Sequence, residues 1–361
     1  GDLYVRFIGL GNGVLQSLYD RSVGFFRRQI ILSTKEKDPN RKDDPYIAEK
    51  MCAEAEGIRF GAKNSLSGLD GPPTTLDASM IAILTGPGAE TLRLDVYPEP
   101  RRQTGAIRFD VFPDAESDRK ALRAVADAIE GDVFFLETLP SFKTIRHAFF
   151  DMDSTLIDNE CIDDMAACFG VGEQVADITR RAMEGHLPFT ENLKLRVALL
   201  KGAPESVLQK TIEGVRYNPG VEKLFLFLRG HGVKTTIVSG GFRPIALHVA
   251  EHLGADGVLT NEVVVRDGRL TGEVTGPAGG EILDAEGKRR AVELFTAVAG
   301  DRLENAMATG DGANDLLMVR AAGLGVAYHA KAVLTQAADV AVRKGGLDTL
   351  APLFEESWYN A

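Results

Sequence analysis

From Ile145 onward, short apolar runs alternate with stretches of helical apolar spacing, the pattern of a parallel sheet covered on both faces. The runs predicted as strands are residues 146–150, 234–238, 258–259, 306–309, 324–327 and 340–342. Each ends near Gly, Ser or Asp. Sheets of this kind bind ligands beyond the carboxyl ends of their strands, so the residues just after each run are the ones to inspect. Between about 162 and 218 helix follows helix without a strand, which predicts a helical cap inserted into the sheet domain. Within it Leu193, Val197 and Leu200 share one helix face, and Thr190 is placed to cap that helix. Farther on, runs at 262–266 and 270–274 flank Asp267-Gly268, a two-residue hairpin signal.

The first 140 residues follow a different rhythm. Strand patterns at 3–10 and 30–33 enclose helical spacing at 14–28, and a second α+β pattern has apolar runs at 80–84, 92–97, 106–112 and 133–139 with helical spacing at 118–129. Residues 35–44 are charged apart from Pro39 and Asn40 and read as an exposed loop. The boundary falls at Pro140-Ser141. The fold class is therefore α/β: a doubly wound, Rossmann-like core over 145–361 with its inserted cap, preceded by an α+β region over 1–140. A length of 361 residues accommodates these units at about 150 residues per domain.

Composition narrows the setting. With 41 basic and 52 acidic residues the formal net charge is -11, which argues against a nucleic-acid partner. Most of that charge lies after position 144, since the residues before 145 hold 19 Lys/Arg and 22 Asp/Glu. No apolar run approaches the roughly 20 residues that span a bilayer, and the start shows no basic stretch followed by an apolar one, so a secretory leader is not expected. The start runs from Gly1 almost directly into a strand pattern, so residues before it are expected to be missing. Cys52, Cys161 and Cys168 lack the spacing of a disulfide framework or zinc site. A cytoplasmic protein with no membrane partner is expected.

The chemistry sits where the sheet pattern points. Asp151-Met152-Asp153-Ser154-Thr155 follows the first strand of the core, and strand alternation turns both carboxylates to one side. Such a pair supplies a nucleophile and an acid/base, and attracts a divalent cation. Alone, it would also fit an acidic turn before a capped helix. Gly310-Asp311-Gly312-Ala313-Asn314-Asp315 adds two carboxylates at another strand end, with glycines permitting close backbone approach. Ser239-Gly240-Gly241 follows a third strand and offers a hydroxyl and backbone N–H groups to phosphate oxygens. Lys288 stands 23 residues before Asp311 at the start of a helical segment.

In this order the four elements resemble the haloacid dehalogenase (HAD) superfamily of phosphohydrolases. Within it, the string at 151–161, then Ala182-Met183-Glu184-Gly185 with Phe189 and Arg196-Val197, then the motif at 310–315, is similar to the phosphoserine phosphatase family over roughly residues 145–345. The resemblance implies Asp151 as the nucleophile that becomes an aspartyl-phosphate and Asp153 as the acid/base. It implies Mg2+ held by Asp151, the Asp153 carbonyl and Asp311, with Asp315 supporting the site. Ser239, Gly240, Lys288 and Asn314 would bind phosphoryl oxygens. Glu160 would match the ammonium of a phosphoserine substrate and Arg196 its carboxylate, while Met183 and Phe189 would form an apolar lid or simply pack the cap. A HAD enzyme acting on another small phosphate ester, or transferring phosphate to an acceptor such as homoserine, is a second expectation. A non-catalytic amino-acid sensor or scaffold is a third.

Relatives of this kind often carry N-terminal amino-acid-binding regulatory (ACT) domains. Residues 1–140 have a fitting size and pattern, although Gly11-Asn12-Gly13 is the sole candidate for the ligand loop. Serine feedback and homodimerisation are the roles expected of this region.

Overall fold

The computed structural model describes residues 5–8, 30–33, 80–86, 89, 101–103, 105–111, 116–183 and 188–358. It divides into two compact units, one of Gly1–Leu139 with Thr349–Ala361 and the other of Pro140–Asp348. In the first, β1 (Val5–Ile8) pairs in parallel with β2 (Ile30–Ser33). Strands β3 (Met80–Thr85), β4 (Arg101–Gln103), β5 (Ala106–Val111) and β6 (Asp132–Leu136) form an antiparallel sheet in the order β4-β5-β3-β6, accompanied by helix α1 (Glu116–Ala128). The predicted helix at 14–28, the charged loop at 35–44, the run at 92–97 and the Gly11-Asn12-Gly13 candidate lie outside the described residues. The expected core ran to 361, whereas residues 349–361 fall in the first unit: the strand–helix alternation has ended there, and short 3-10 turns bury Leu350, Leu353, Phe354 and Trp358.

The second unit holds strands β7 (His147–Phe150), β8 (Lys234–Phe242), β9 (Gly257–Arg266), β10 (Arg269–Thr275), β11 (Ala306–Gly310), β12 (Leu324–Tyr328) and β13 (Val340–Val342), in the sheet order β10-β9-β8-β7-β11-β12-β13. All pairings are parallel except that of β9 with β10. Every residue of β7, β11 and β12 is buried, as a sheet covered on both faces requires, which is why these strands read as largely apolar runs. After β7 the chain builds outward through β8 and β9, then returns to β7's other side with β11. That reversal opens a crevice at the carboxyl ends of β7 and β11.

The cap consists of α2 (Cys161–Phe169), α3 (Gly172–Met183), α4 (Phe189–Ala198) and α5 (Ser206–Glu213), and outside it α6 (Val221–Gly230) and α7 (Arg243–Leu253) precede and follow β8. The cap's entrance and exit are clipped together by buried Asn159, whose Nδ2 donates to Asp164 Oδ2 (2.7 Å) and the Gly214 carbonyl (3.2 Å), while its Oδ1 accepts from the Arg216 N–H (2.8 Å). Leu193, Val197 and Leu200 are buried together, as their spacing predicted. Thr190 does not cap α4: the helix already begins at Phe189 with Pro188 in the cap position, which leaves Thr190 within its first turn. The hairpin is present, with Asp267 and Gly268 both at positive φ (50° and 69°), as a type I′ turn demands. Its turn and β10 bond to the α4–α5 connection, Glu205 N–H to the Gly268 carbonyl and Leu270 N–H to the Ala203 carbonyl, both 2.8 Å.

Two boundaries differ from expectation. Residues 258–259 and 262–266 belong to one strand, β9, because Thr260 and Asn261 stay paired with β8. Strand β8 does not stop at Val238 but runs to Phe242 through an irregularity: Ser239 faces Thr260 and Phe242 faces Asn261, so Gly240 and Gly241 form a bulge within the sheet.

Candidate active site

The strand ends deliver the predicted carboxylates to one place. Asp151, directly after β7, is anchored by its N–H to the Thr309 carbonyl of neighbouring β11 (2.9 Å), and its Oδ1 accepts from the Met152 N–H (2.8 Å). The following loop is wound tightly: the Met152 carbonyl accepts from Thr155, Leu156 and Ile157, and Ser154 adopts a left-handed φ of 56°, sparsely populated for a residue with a side chain. That winding places Asp153 beside the β8 bulge. A Cβ on Gly241 would stand 2.7 Å from Asp153 Oδ2 and 3.0 Å from the Met152 side chain, so a side chain there would displace one or both.

Lys288, from α8 (Ala285–Val298), is wholly buried, with its Nζ 2.8 Å from Asp151 Oδ1 and 2.7 Å from Asp315 Oδ1. Burial opposes its charge, but the two carboxylates outweigh that and hold its pKa above the ordinary lysine value. Asp315 Oδ2 accepts from the Asp311 N–H (3.2 Å) and the Gly312 N–H (3.0 Å), so both its oxygens are occupied in shaping the loop. Asn314 lies beside it, Nδ2 3.5 Å from Asp315 Oδ1. Thr155 Oγ donates to Asp311 Oδ1 (3.2 Å).

One ammonium against three carboxylates leaves surplus negative charge in a desolvated place. Burial lifts Asp151 well above the usual carboxylate range, Asp315 and Asp311 adding to the effect and Lys288 opposing it. Burial and Asp315 likewise push Asp311 up to about 6. Oxygens of Asp151, Asp311 and Asp315 lie within 4.8 Å of one another, an all-oxygen donor set suited to a hard divalent cation. Asp315 is engaged through both oxygens, with Lys288 and with two backbone N–H groups.

Burial, then the Glu160 carboxylate, lifts Asp153 to about 7, opposed by the bond its Oδ1 accepts from the Cys161 N–H (3.2 Å). A carboxyl in that range can give and take a proton near neutrality. A raised carboxyl pKa costs stability as pH rises. The contribution is intact below the ordinary value of 3.8 and is lost progressively up to about 7. In metal-free protein, Asp153→Asn keeps the acceptor for Cys161 and removes the charge. Its melting temperature relative to wild type is expected to rise by a few degrees between pH 5 and pH 8, and an unchanged difference across that range would contradict this account of Asp153. Burial pushes the Cys161 thiol upward, away from a reactive thiolate.

The cap supplies the remaining predicted residues. Glu160 accepts from Ser154 Oγ (2.8 Å). Burial lowers the Arg196 pKa, while Asp163, Glu160 and Asp153 act in the opposite direction. Arg196 Nε, Asp163 Oδ1 and Asn192 Oδ1 are buried without a hydrogen-bond partner, and Asn192 and Arg196 stand one turn apart on α4. Phe189 reaches the bulge, its ring edge 2.9 Å from where a Cβ on Gly240 would stand. Met183 ends α3, and its side chain lies outside the described residues. Sequence reasoning missed Thr155, Asp163 and Asn261. Thr155 lay inside a motif already singled out, whereas Asn261 carried no recognisable signal.

Comparisons with known proteins agree with this geometry. A model of the haloacid dehalogenase-like hydrolase family matches residues 148–320. A phosphoserine phosphatase of Streptomyces coelicolor is 40% identical over 344 residues, covering 90% of this chain and 82% of the relative. A probable phosphoserine phosphatase from Vibrio cholerae, solved in unliganded form, is 33% identical with a TM-score of 0.63, over 77% of this chain and 86% of that one. A phospho-aspartyl intermediate analogue of phosphoserine phosphatase is 37% identical with a TM-score of 0.55, over 59% of this chain and 100% of that one. The chain, which carries the two aspartates after β7, the glycine bulge of β8, the buried lysine and the acidic loop after β11, belongs to the phosphoserine phosphatase family of haloacid dehalogenase-like hydrolases.

Proposed function

We propose that this protein hydrolyses O-phospho-L-serine to L-serine and phosphate, the last step of serine biosynthesis, through an aspartyl-phosphate on Asp151. The observation that carries the reading is that Asp153, which burial lifts to about 7, follows two residues after an Asp151 whose Oδ1 is held by Lys288 and the Met152 N–H. Oδ2 of Asp151 is then the oxygen free to attack phosphorus. As the P–O bond to serine breaks, Asp153 gives its proton to the departing serine oxygen. In the second half-reaction the Asp153 carboxylate takes a proton from water, the water oxygen bonds to phosphorus, and the bond to Asp151 breaks. Ser239, the Gly240 backbone, Lys288 and Asn314 donate to the phosphoryl oxygens, fixed before the reaction begins.

Asp151, the Asp153 carbonyl and Asp311 are assigned to hold Mg2+, with Asp315 in support. When bound, the ion offsets the repulsion between an anionic nucleophile and an anionic phosphate. Selectivity is assigned to the cap: Glu160 pairs with the substrate ammonium, the Arg196 fork with its carboxylate, and Phe189 with Met183 closes over the serine carbon. The unpartnered, buried Arg196 Nε supports this role, because an unsatisfied donor of that kind is retained at a cost unless a ligand meets it.

A panel of small phosphate esters, assayed for phosphate release with wild type and Arg196→Ala, tests the reading. Wild type should favour phosphoserine, and the variant should raise KM for it by about 100-fold while changing little with esters that lack a carboxylate. Preference for another ester, or phosphate transfer to an added alcohol such as homoserine, would overturn the substrate assignment. Among the described residues no helix is long and apolar enough to cross a membrane, and we assign the enzyme to the cytoplasm. Residues 1–140 are assigned a regulatory, ACT-like role and a part in homodimerisation. Removing them without change in serine sensitivity or oligomeric state would refute both.

A further inference from the structure

Asn261 is wholly buried in the middle of β9, a position where asparagine is disfavoured unless its amide is satisfied. It is satisfied by two segments that are remote from each other in sequence. Its Nδ2 donates to the Gly240 carbonyl (3.0 Å) and to the Leu283 carbonyl (3.4 Å), and its Oδ1 accepts from the Leu283 N–H (2.7 Å). We propose that Asn261 is a positioning residue that holds the β8 bulge and the start of α8 in register, so that Ser239 and Lys288 present their donors to one phosphoryl group.

On the bulge side, the Gly240–Gly241 peptide is held at both ends. Its carbonyl is bound by Asn261 and its N–H donates to Ser239 Oγ (2.9 Å). The Ser239 hydroxyl, buried and already accepting from Gly241, keeps its own hydrogen to donate. On the helix side, Asn261 binds both backbone groups of Leu283. The next residue, Asp284, caps α8 by accepting from the Gly287 N–H (2.9 Å), and its carbonyl accepts from the Lys288 N–H (2.8 Å). A single amide thereby sets the peptide that orients Ser239 and the backbone that delivers Lys288. Neither contact involves substrate, so a loss at Asn261 acts through those two residues.

The inference rests on the reading of Ser239 and Lys288 as phosphoryl-binding groups. Its test uses the full chain with magnesium and phosphoserine, and compares N261D, which keeps the size and the acceptor but loses both donations, with S239A, the double variant and a structural control, T296V. Thr296 is buried in the same helix and bonds within it, Oγ to the Val292 carbonyl (2.8 Å). N261D should lower kcat by about 30-fold with KM within about threefold, as misplacement of prepositioned groups does, and should weaken inhibition by orthovanadate to a similar degree. T296V should keep wild-type kcat. In the S239A background the N261D loss should shrink to less than about fivefold, the non-additivity of residues acting as a unit. Should N261D not fold, N261S is measured by the same criteria. N261D at wild-type kcat beside an impaired S239A would overturn the inference alone, as would a full 30-fold loss added on top of S239A or an equal loss in T296V. An unimpaired S239A would instead refute the phosphoryl-binding role of Ser239.

Discussion

Asp151→Asn is expected to abolish turnover, with kcat falling by about five orders of magnitude or more, the scale seen when a covalent nucleophile is removed from a site whose groups act as a unit. The reason is local. An asparagine can still be placed where the Asp151 carboxylate stands, accepting from the Met152 N–H at 2.8 Å through its own Oδ1 and facing Lys288. It offers no anionic oxygen for phosphorus. Folding should survive, because burial already raises the pKa of the Asp151 carboxyl and a neutral side chain removes that penalty. The expected result is a protein that melts at or above the wild-type temperature and releases no phosphate. A variant that keeps a substantial kcat would contradict the assignment of Asp151 as nucleophile, and one that fails to fold would contradict the account of its burial.

Lys288→Met carries the second large effect, on stability and activity together. The side chain is unbranched and of similar size, so packing is nearly conserved, but Asp151 and Asp315 lose the cation at 2.8 and 2.7 Å from within a fully buried site. Breaking a buried pair by removing one partner costs on the order of 3–5 kcal/mol, because the remaining charge has nowhere to be solvated. In metal-free protein at pH 8, the urea midpoint should fall accordingly. The deficit should shrink toward pH 5, where the elevated pKa values of Asp151 and Asp311 let those carboxyls take up protons and relieve the repulsion. With magnesium present, kcat should fall by about 1,000-fold through loss of a fixed positive group at the transferring phosphoryl. Equal stability of variant and wild type at pH 8 would show that Lys288 does not hold the acidic cluster together.

Much of this site was legible from residue order, for a physical reason. A parallel sheet hides its inner strands from water on both faces, so they read as short, largely apolar runs, and function collects just beyond their carboxyl ends. Asp151 after β7 and Asp311 after β11 are legible by that logic. The reversal of strand order about β7 was not written in any run, yet it is what brings these two ends side by side.

Other features depend on contacts distant in sequence. Ser239-Gly240-Gly241 reads as a turn because glycines end strands. Here the strand continues, and the glycines bulge because Asp153 and the Phe189 ring occupy the space a side chain would need. Thr260-Asn261 reads as a polar break in β9 for the complementary reason: the partners of Asn261 lie at Gly240 and Leu283. Thr190 reads as a cap from its residue type, but Pro188, with its backbone extended, caps the helix two residues earlier. Lys288 was legible as a helix residue of the right order, and its burial between two carboxylates was not.

The most direct measurement is phosphate release from O-phospho-L-serine by the purified wild-type protein, with magnesium and then with the metal chelated. Equimolar serine and phosphate are expected with magnesium, and loss of release on chelation, restored by adding the ion back. No release with magnesium, or release unaffected by chelation, would contradict the proposed function.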